Sequence, residues 1–421
     1  MVLKSILKMI IQKEMKKNFR DLESKRKFFY PLAEPTYNEN EVVNAVNSMT
    51  NFSTTMWNKT REFEKLFGEK YGGEAIMVNS GSSADLLISF AVSERSGGPL
   101  PFGSEILVPS VTWPTHLWSL IMAGFKVKLV DIDPETLNFD LEYLKRSITQ
   151  ETRGVFIVHL LGNMGDMRGL KKICEEKNLV LMEDCCEALG SRFADQQAGT
   201  FGLASSFSFF FSHHLVTMEG GMILTKDKEF AKKCRLLRAH GWEREINSSI
   251  STPAYDINQK FKFVSWGFNV RPTELQAGFG IEQIKKMDLF DSNRNQNAKI
   301  LNECILRNNK FLSTMKIQES VKCNWFAFPI IIKKNAPFSR LEIADFLDKN
   351  GVETRPVVAG NLAKQPAVLN YPEISFDSLE GADFIHERGL YIGIHPTTKD
   401  YNLLKVTKLI DDFCEQWQHN E

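Results

Sequence analysis

The segment Leu179-Val180-Leu181-Met182-Glu183 is a short apolar run that ends in an acid, and Asp184-Cys185-Cys186-Glu187 follows it directly. A run without polar alternation is typical of a strand buried on both faces of a parallel sheet. In such a sheet, the loops after the carboxyl ends of the strands build the binding site. The segment therefore predicts a buried strand with a functional site at its end.

The same pattern recurs between residues 75 and 225, where short apolar runs alternate with helix-like segments. The other strand candidates are Ala75–Val78, Glu105–Pro109, Lys126–Asp131, Gly154–His159, Ser205–Phe211 and Gly221–Thr225. The helical candidates are Ser82–Ser93, Pro114–Ala123, Leu141–Ile148 and Met167–Glu176. Because the last two strand candidates are joined directly, the pattern predicts an α/β protein with a mixed, mostly parallel sheet of about seven strands.

The pattern changes after residue 272. Pro272 opens a long helical stretch to about residue 308. Strand Trp325–Ile332, helix Arg340–Lys349 and strand Val352–Arg355 follow it. We therefore predict a basic N-terminal extension over residues 1–30, a large α/β domain over 31–285 and a small C-terminal α+β domain over 286–421.

Composition places the 421 residues among ordinary globular proteins, with 43% hydrophobic and 25% charged residues. The 52 basic and 52 acidic residues cancel, which argues against a protein that acts mainly on nucleic acid or an anionic membrane. No apolar stretch reaches the ~20 residues that a membrane-spanning helix needs. These properties favour a multidomain enzyme and exclude collagen, coiled coil and small disulfide scaffold.

Residues 1–30 carry nine Lys and Arg against three Asp and Glu. Lys4 and Lys8 interrupt the apolar residues and no cleavage site follows, so a secretory signal is not expected. A basic helix of this kind can lie on a membrane surface. A solvated helix or a partly disordered extension is the simpler interpretation, and no membrane partner is predicted.

The seven cysteines are an odd number and form no C-x-x-C pair. In a chain with no export signal, this pattern indicates a reducing cytoplasm in which the thiols are core residues. The adjacent Cys185 and Cys186 would point to opposite faces of a strand and make a poor chelate. An iron–sulfur cluster needs a tighter group of cysteines. We therefore predict neither a metal site nor an iron–sulfur cluster.

Two of the predicted strands end in residues suited to a phosphorylated ring. Asn79-Ser80-Gly81-Ser82-Ser83 offers backbone N–H groups, hydroxyls and a helix N-terminus to an anion, although an ordinary helix cap fits equally well. Asp184 needs a positive partner if it is buried, and a protonated pyridine nitrogen is one. A helix cap or a metal-binding carboxylate is the alternative.

Two further features fall at predicted strand ends. In Thr112-Trp113-Pro114, the indole can stack on a planar ring or simply belong to the core. Ser208-Phe209-Phe210-Phe211-Ser212-His213-His214 delivers two histidines into a loop that turns at Gly220-Gly221. Lone histidines are usually structural, but one beside a phosphate-binding hydroxyl suits proton transfer near neutral pH.

Together these four features resemble the DegT/DnrJ/EryC/StrS family of sugar aminotransferases, which use pyridoxal phosphate on the aspartate-aminotransferase-like (type I) fold. The resemblance runs from about Pro31 to the C-terminus. It implies that the cofactor phosphate is held by Gly81, Ser82, Ser83 and Ser208.

The resemblance also assigns residues to the cofactor ring and to a second subunit. It implies that Trp113 stacks on the ring, Asp184 pairs with the pyridine nitrogen and Glu187 lies near the ring hydroxyl. Asn269, in Gly267-Phe268-Asn269-Val270-Arg271, would reach the phosphate of the neighbouring subunit. The implied active unit is therefore a homodimer with shared active sites.

The departure from the family pattern lies five residues beyond Ser208. Aminotransferases of the family carry there the lysine that binds the cofactor covalently, and this chain has His213. Imidazole cannot form that bond but can move protons. Within the family this exchange separates 3-dehydratases from aminotransferases, so the resemblance implies a lyase that uses pyridoxamine phosphate, with His213 as its catalytic residue.

Two branches of dehydratase compete for the substrate. One acts on CDP-4-keto-6-deoxyglucose with an iron–sulfur cluster, and its compact cysteine motif is missing here. The other is cluster-free and acts on GDP-4-keto-6-deoxy-D-mannose, with glutamate re-aminating the cofactor, in the synthesis of lipopolysaccharide deoxysugars. The chain resembles the second branch in Arg238–Trp242, Phe261–Val264, Gly267–Pro272 and Arg355–Asn361.

Several points stay open at this stage. Either Arg271 or Arg355 can clamp a carboxylate or diphosphate bidentately, and His214 is a further tentative substrate contact. An ordinary sugar-nucleotide aminotransferase would need another lysine in the loop, and Leu215–Glu219 supplies none. A non-catalytic binder of nucleotide sugars would tolerate the loss of lysine, but it would not need the cofactor-holding residues.

Overall fold

Eight strands form the large sheet at the centre of the structure, a computed structural model that describes residues 2–246 and 261–418. They are β1 (Glu74–Val78), β2 (Glu105–Pro109), β3 (Lys126–Val130), β4 (Thr152–Val158), β5 (Val180–Asp184), β6 (Ala204–Ser208), β7 (Gly221–Thr225) and β11 (Ile374–Phe376). Their order is β1-β7-β6-β5-β4-β2-β3-β11. Only β7 pairs in antiparallel fashion with its neighbours, so the predicted mixed, mostly parallel sheet is confirmed.

Thirteen α-helices belong to the described part of the chain. They are α1 (Val2–Lys25), α2 (Glu39–Thr50), α3 (Asn58–Tyr71), α4 (Gly81–Val92), α5 (Thr115–Ala123), α6 (Leu141–Ser147), α7 (Met167–Lys177), α8 (Lys228–Arg238), α9 (Glu274–Gln283), α10 (Met287–Arg307), α11 (Arg340–Lys349), α12 (Glu380–Arg388) and α13 (Asp400–Gln418). None of these helices is both long enough and apolar enough to cross a bilayer.

A second sheet lies in the C-terminal part. Its strands are β8 (Leu312–Ser313), β9 (Ala327–Ile332), β10 (Thr354–Pro356) and β12 (Gly389–Gly393), in the order β8-β9-β12-β10, and all its pairs are antiparallel. Very short strands at Ile132–Asp133, Asn138–Phe139, Arg192–Phe193, Gln196–Gln197 and Val321–Lys322 form two further small sheets.

The strands of the large sheet are buried because helices cover both faces. All five residues of β2 are buried, and so are all but one residue of β4. Continuous apolar sequence is therefore needed here instead of alternation. Strands β1, β2, β4, β5 and β6 all run in one direction, and their carboxyl ends meet at one edge of the sheet.

Arg294 of α10 ties this helix to the small antiparallel sheet. Its buried guanidinium donates hydrogen bonds to the carbonyl oxygens of Trp325, Phe326 and Ile394, at 3.1, 3.3 and 2.6 Å. Burial lowers the pKa of Arg294 to about 10, so it stays charged at neutral pH. The charge-assisted bonds hold the start of β9 and the end of β12 against α10.

Strand β11 was missed by sequence reasoning. It comes from the C-terminal part of the chain and pairs in parallel with β3, with Ile374 opposite Val127. Lys128 of β3 also forms an ion pair of 3.0 Å with Asp377, directly after β11. The large sheet therefore has eight strands where about seven were expected.

Most predicted element boundaries lie within two residues of the observed ones, and two predictions differ by more. The strand expected over Ser205–Phe211 ends at Ser208, because the chain turns at the sheet edge and Phe210 and Phe211 are exposed there. The helical stretch after Pro272 is broken by a 3-10 turn at Ile284–Lys286. The domain boundary predicted near this turn stays a prediction.

Candidate active site

A cavity of about 770 Å³ opens where the carboxyl ends of the large-sheet strands face the C-terminal part. Residues predicted as site residues that line it are Gly81, Ser82, Trp113, Asp184, Glu187, Ser208, His213 and Arg355. They come from five separate segments of the chain. The sheet direction brings the first seven together, as the parallel pattern predicts.

The N-terminus of α4 supplies an anion-binding turn to this cavity. Ser80 caps the helix, because its Oγ accepts the N–H of Ser83 at 3.1 Å. The N–H groups of Gly81 and Ser82 have no acceptor among the described residues. They lie at the positive end of the helix dipole, which favours a phosphate.

Gly81 is required by close packing among three loops. A Cβ atom on it would lie 2.7 Å from the Cβ of Ser208 and 3.0 Å from the Sγ of Cys186. Likewise, a Cβ on Gly221 would overlap the carbonyl oxygen of Ser80. The turn, the end of β6 and the loop after β5 therefore form one tight cradle with room for a ligand but for no further side chain.

Asp184 is the carboxylate at the end of β5, and it is almost fully buried. Its Oδ1 accepts the N–H of Cys186 at 2.6 Å, and its Oδ2 lies 2.5 Å from Nε2 of His116. At this distance the two side chains form a buried ion pair. Burial raises the pKa of Asp184, but the charge and contact of His116, together with the hydrogen bond from the Cys186 N–H, outweigh burial and hold that pKa below its usual value.

The groups around His116 determine which of its ring nitrogens carry protons. Nδ1 lies 2.9 Å from the carbonyl oxygen of Trp113, which can only accept, so Nδ1 carries a proton. Nε2 faces the carboxylates of Asp184 and Asp85, which favours a second proton. Burial lowers the pKa of His116, but the two acids raise it further, to about 9. His116 is therefore an imidazolium ion at neutral pH.

The other two acids of the 183–187 segment have separate roles. Glu183 is a structural clamp, because its carboxylate accepts the N–H groups of Gly199, Phe201 and Gly202 and contacts His159 at 3.0 Å. Glu187 lines the cavity and accepts the N–H of Leu161 at 2.8 Å. Burial raises the pKa of Glu187 to about 7, so it can donate to or accept from a ring hydroxyl.

His213 reaches the cavity from the loop after β6. Its Nδ1 lies 2.7 Å from the carbonyl oxygen of Cys186, so the neutral ring carries its proton on Nδ1 and leaves Nε2 as a free base. Phe326 packs against the ring with centroids 4.9 Å apart. Burial lowers the pKa of His213 to about 4, so the near-neutral pKa expected from the sequence is wrong.

Residues of the C-terminal part close the cavity on the other side. Arg355 of β10 is 53% exposed at its side chain and pairs with Glu353 at 2.8 Å. The other oxygen of Glu353 accepts the N–H of Leu32 at 3.0 Å, which holds the segment before α2 at the cavity wall. Burial raises the pKa of the nearby Tyr391 to about 12.

Other predicted site residues lie outside the cavity wall of this chain. His214 is buried, with Nε2 3.1 Å from the carbonyl oxygen of Asn324. Asn269 is exposed and accepts a hydrogen bond from Nε of Arg271 at 3.0 Å. Ser83 is engaged with the Ser80 cap. None of the four belongs to the lining of the cavity.

Sequence reasoning missed several residues that do line the cavity. His116, Asp85 and Cys186 are on the large-sheet side, and Glu353, Phe326 and Tyr391 are on the other side. The sequence does indicate His116 as a site residue, because it follows Trp113 by three residues at the start of a predicted helix. The remaining residues depend on how distant segments pack.

The residues present fit pyridoxal phosphate or pyridoxamine phosphate. The cradle around Gly81 excludes a side chain and offers N–H groups at a helix N-terminus, as a phosphate requires. Asp184 is held as an anion, as a protonated pyridine nitrogen requires. Trp113 is 57% exposed at the cavity wall, so its indole is available to stack on a ring.

Comparison with known proteins agrees with this class of site. The sequence profile of the DegT/DnrJ/EryC1/StrS aminotransferase family matches residues 35–411. The chain belongs to this family. Helix α1 lies outside the matched residues.

Within the family the chain is similar to one kind of enzyme. It is 38% identical to GDP-4-keto-6-deoxy-D-mannose 3-dehydratase of Yersinia pseudotuberculosis over 87% of this chain and 94% of that protein. A crystal structure of a mutant GDP-4-keto-6-deoxymannose-3-dehydratase with bound GDP-perosamine has a TM-score of 0.86 at 35% identity and covers 90% of this chain and 100% of its own. A second, with a trapped PLP-glutamate geminal diamine, has a TM-score of 0.85 at 35% identity and the same coverage.

Proposed function

We propose that this chain is a pyridoxamine-phosphate-dependent 3-dehydratase of GDP-4-keto-6-deoxy-D-mannose, which forms the 3,6-dideoxy-4-keto sugar for lipopolysaccharide synthesis. One observation carries the proposal. The cavity holds the cradle, the Asp184 anion and His213, while no lysine is among the described residues that line it. A site of this kind can use the cofactor but cannot store it covalently at the usual position.

When bound, the cofactor would supply an amine for the sugar C4 ketone and a ring that accepts electrons. Nε2 of His213 takes a proton from the carbon that carries this amine. The imidazolium so formed then donates the proton to the C3 hydroxyl as it leaves as water. Anchoring of Nδ1 to the Cys186 carbonyl keeps Nε2 directed into the cavity for both transfers.

The low pKa of His213 suits these two proton transfers. At neutral pH the ring is neutral and ready to act as a base, and once protonated it is a strong acid beside a poor leaving group. Glu187 is proposed to lie at the ring hydroxyl, Ser82 and Ser208 to complete the phosphate site, and Ser83, which is outside the cavity lining, to hold the Ser80 cap behind it. His214 has no direct role in this proposal.

The test of the proposal is a product balance. With pyridoxamine phosphate, glutamate and GDP-4-keto-6-deoxy-D-mannose, we expect one ammonia and one 2-oxoglutarate for each 3-deoxy sugar. An aminotransferase of the same family would yield an amino sugar and no ammonia. A CDP-linked 4-keto-6-deoxyglucose should be a poor substrate. Turnover to an amino sugar without ammonia would overturn the proposal.

Cofactor retention gives an independent prediction. Without a lysine bond, only phosphate contacts, Asp184 and ring stacking hold the cofactor, so dialysis should remove it from the wild-type protein. His213→Lys should retain pyridoxal phosphate and become labelled by borohydride at position 213, as shown by mass spectrometry of the peptide. A borohydride-fixed lysine adduct in the wild-type protein would contradict the role given to His213.

Arg355 is proposed to bind the carboxylate of glutamate, since it lines the cavity and Arg271 of the same chain does not. Arg355→Lys should raise the glutamate KM about 10- to 100-fold, because one charge-assisted hydrogen bond contributes about 1.5–3 kcal/mol. Cofactor affinity should stay unchanged. Arg271→Lys is the matched control. If half-reaction kinetics showed the larger rise of the glutamate KM in Arg271→Lys, Arg271 and not Arg355 would bind the glutamate carboxylate.

A homodimer with shared sites is proposed from the position of Asn269. Its side chain is exposed and outside the cavity of its own chain, so a second subunit can receive it. A mixed dimer of His213→Asn and Asn269→Ala chains contains one site with both native residues. We expect co-expression to recover part of the activity that neither homodimer has. Sedimentation of a fully active monomer would refute this arrangement.

The compartment is proposed to be the cytoplasm. All seven cysteines are free thiols, and six of them are buried, which suits a reducing environment. Nucleotide-linked sugars and glutamate are the only partners that the proposal requires.

A further inference from the structure

Asp85 is a buried acid in the first turns of α4 to which the proposed reaction gives no role. Its side chain is 2% exposed, and the residue lines the cavity. Its Oδ2 accepts a hydrogen bond from Thr115 at 3.2 Å and lies 4.0 Å from Nε2 of His116. Its Oδ1 is buried without a hydrogen-bond partner in the described part of the chain. A carboxylate buried in this way is costly unless it compensates a charge.

The charge that Asp85 compensates is the His116 imidazolium. His116 already lies 2.5 Å from Asp184, so these two side chains alone would neutralise each other. With Asp85 ionised, two carboxylates face one imidazolium, and the cluster keeps one negative charge in excess. A protonated ring nitrogen at Asp184 would bring that excess to zero, which is the favourable condition for a buried cluster.

Asp85 can change its charge within the neutral pH range. Burial, with the Asp184 charge added, raises the pKa of Asp85 to about 7, although the His116 charge opposes this. The uncharged hydroxyls of Ser206 and Thr115 face it, and Thr115 donates the hydrogen bond described above. The thiols of Cys185 and Cys186 lie nearby, and burial raises their pKa values well above the usual range, so they stay neutral. A cation bound at Asp184 would favour the ionised form of Asp85.

We propose that Asp85 is a positioning residue for the cofactor ring, whose carboxylate balances His116 so that Asp184 keeps its negative charge for the ring nitrogen. The inference rests on the proposed function only in taking a pyridine ring as the ligand of Asp184. It does not require that the enzyme dehydrate a sugar. Its failure is therefore distinguishable from failure of the proposed function.

The experiment compares two unreactive ligands on the full-length protein freed of cofactor. Pyridoxine 5′-phosphate has the ring nitrogen, and its 1-deaza analogue has C–H in that place. Asp85→Asn keeps the shape and the Thr115 contact but removes the charge. We expect it to weaken binding of pyridoxine phosphate about tenfold, or about 1.4 kcal/mol, and to leave the deaza analogue unchanged. Thr115→Val is the matched control, because it removes the hydrogen bond and keeps the charge, and it should change neither affinity by as much.

The outcomes that overturn the proposal are specific. An equal loss of affinity for both ligands would mean that Asp85 only shapes the site. No loss of affinity for either ligand would mean that the charge of Asp85 has no effect on ring binding. If Asp85→Asn does not fold, the pH dependence of the two affinities in the wild-type protein tests the proposal. The ratio of the two affinities should shift towards pyridoxine phosphate as the pH rises through about 7, where Asp85 ionises, and a flat ratio would refute the proposal. Nitrogen-15 NMR of the histidines should also show that His116 loses its proton at lower pH in Asp85→Asn than in wild type.

Discussion

We expect His213→Asn to abolish dehydration while pyridoxamine phosphate still binds. Asparagine roughly keeps the volume and one polar contact, but it has no nitrogen that titrates. A general base contributes about 10²–10⁴-fold in rate, so turnover should fall by at least about 10²-fold. No contact to the phosphate or the ring nitrogen depends on the imidazole, so the dissociation constant of the cofactor should change little. Ammonia release and fluorescence titration measure the two effects separately.

Two controls accompany this variant. His214→Asn alters the buried neighbour whose Nε2 faces the Asn324 carbonyl, so its effect on turnover should be smaller. The glutamate half-reaction also moves a proton, and His213→Asn should slow it too. Normal dehydration in His213→Asn together with loss in His214→Asn would show that the wrong histidine has been assigned.

The pH profile of the wild-type enzyme tests the same residue. His213 acts as a base in its neutral form, which exists above its pKa of about 4 and is lost as the pH falls through that value. The His213 limb of kcat/KM should therefore lie near pH 4 and not near the ordinary value for histidine, about 6.5. His213→Asn should have no such limb in its residual rate.

Asp184→Asn should give the largest loss of cofactor affinity in the protein. Removing one partner of a buried ion pair costs about 3–5 kcal/mol, which corresponds to about 10²–10⁴-fold in the dissociation constant. The variant would also leave the His116 cation paired with Asp85 at 4.0 Å and turn an amide towards the ring nitrogen. Equilibrium binding of pyridoxine phosphate to the cofactor-free protein measures this loss.

Glu187→Gln is the matched control for Asp184→Asn. It changes an acid of the same cavity whose pKa is about 7, so the charge removed is already partly neutralised at neutral pH. We expect a much smaller loss of affinity. Equal losses for Glu187→Gln and Asp184→Asn would mean that the ring nitrogen has no special dependence on Asp184.

The large sheet was predictable because its chemistry is local. The run before Glu183 is apolar throughout, and a strand buried on both faces requires that pattern. The structure has this strand at Val180–Asp184, within one residue of the prediction. Helix Arg340–Lys349 begins and ends as predicted, and its Ser339–Glu342 capping box fixes the start.

What could not be predicted depends on contacts between distant segments. Ile374-Ser375-Phe376 is too short and too exposed to read as a strand, and only β3 makes it one. Glu353 enters the site because β10 places it against Leu32, which lies 321 residues earlier. The low pKa of His213 is likewise a product of burial and not of its neighbours in sequence.

The pairing of β11 with β3 sets a constraint on how the chain is made. Strand β3 leaves the ribosome more than 240 residues before Ile374, so during synthesis it is the open edge of an unfinished sheet. Such an edge can pair with another nascent chain, and charged side chains on the strand discourage this. Lys126 and Lys128 occupy alternate positions of β3. Lys128 then forms its ion pair with Asp377 once the late segment arrives. Lys128 therefore acts twice. In the growing chain its charge discourages aggregation at the open edge of β3, and in the finished sheet its ion pair holds β11 in place.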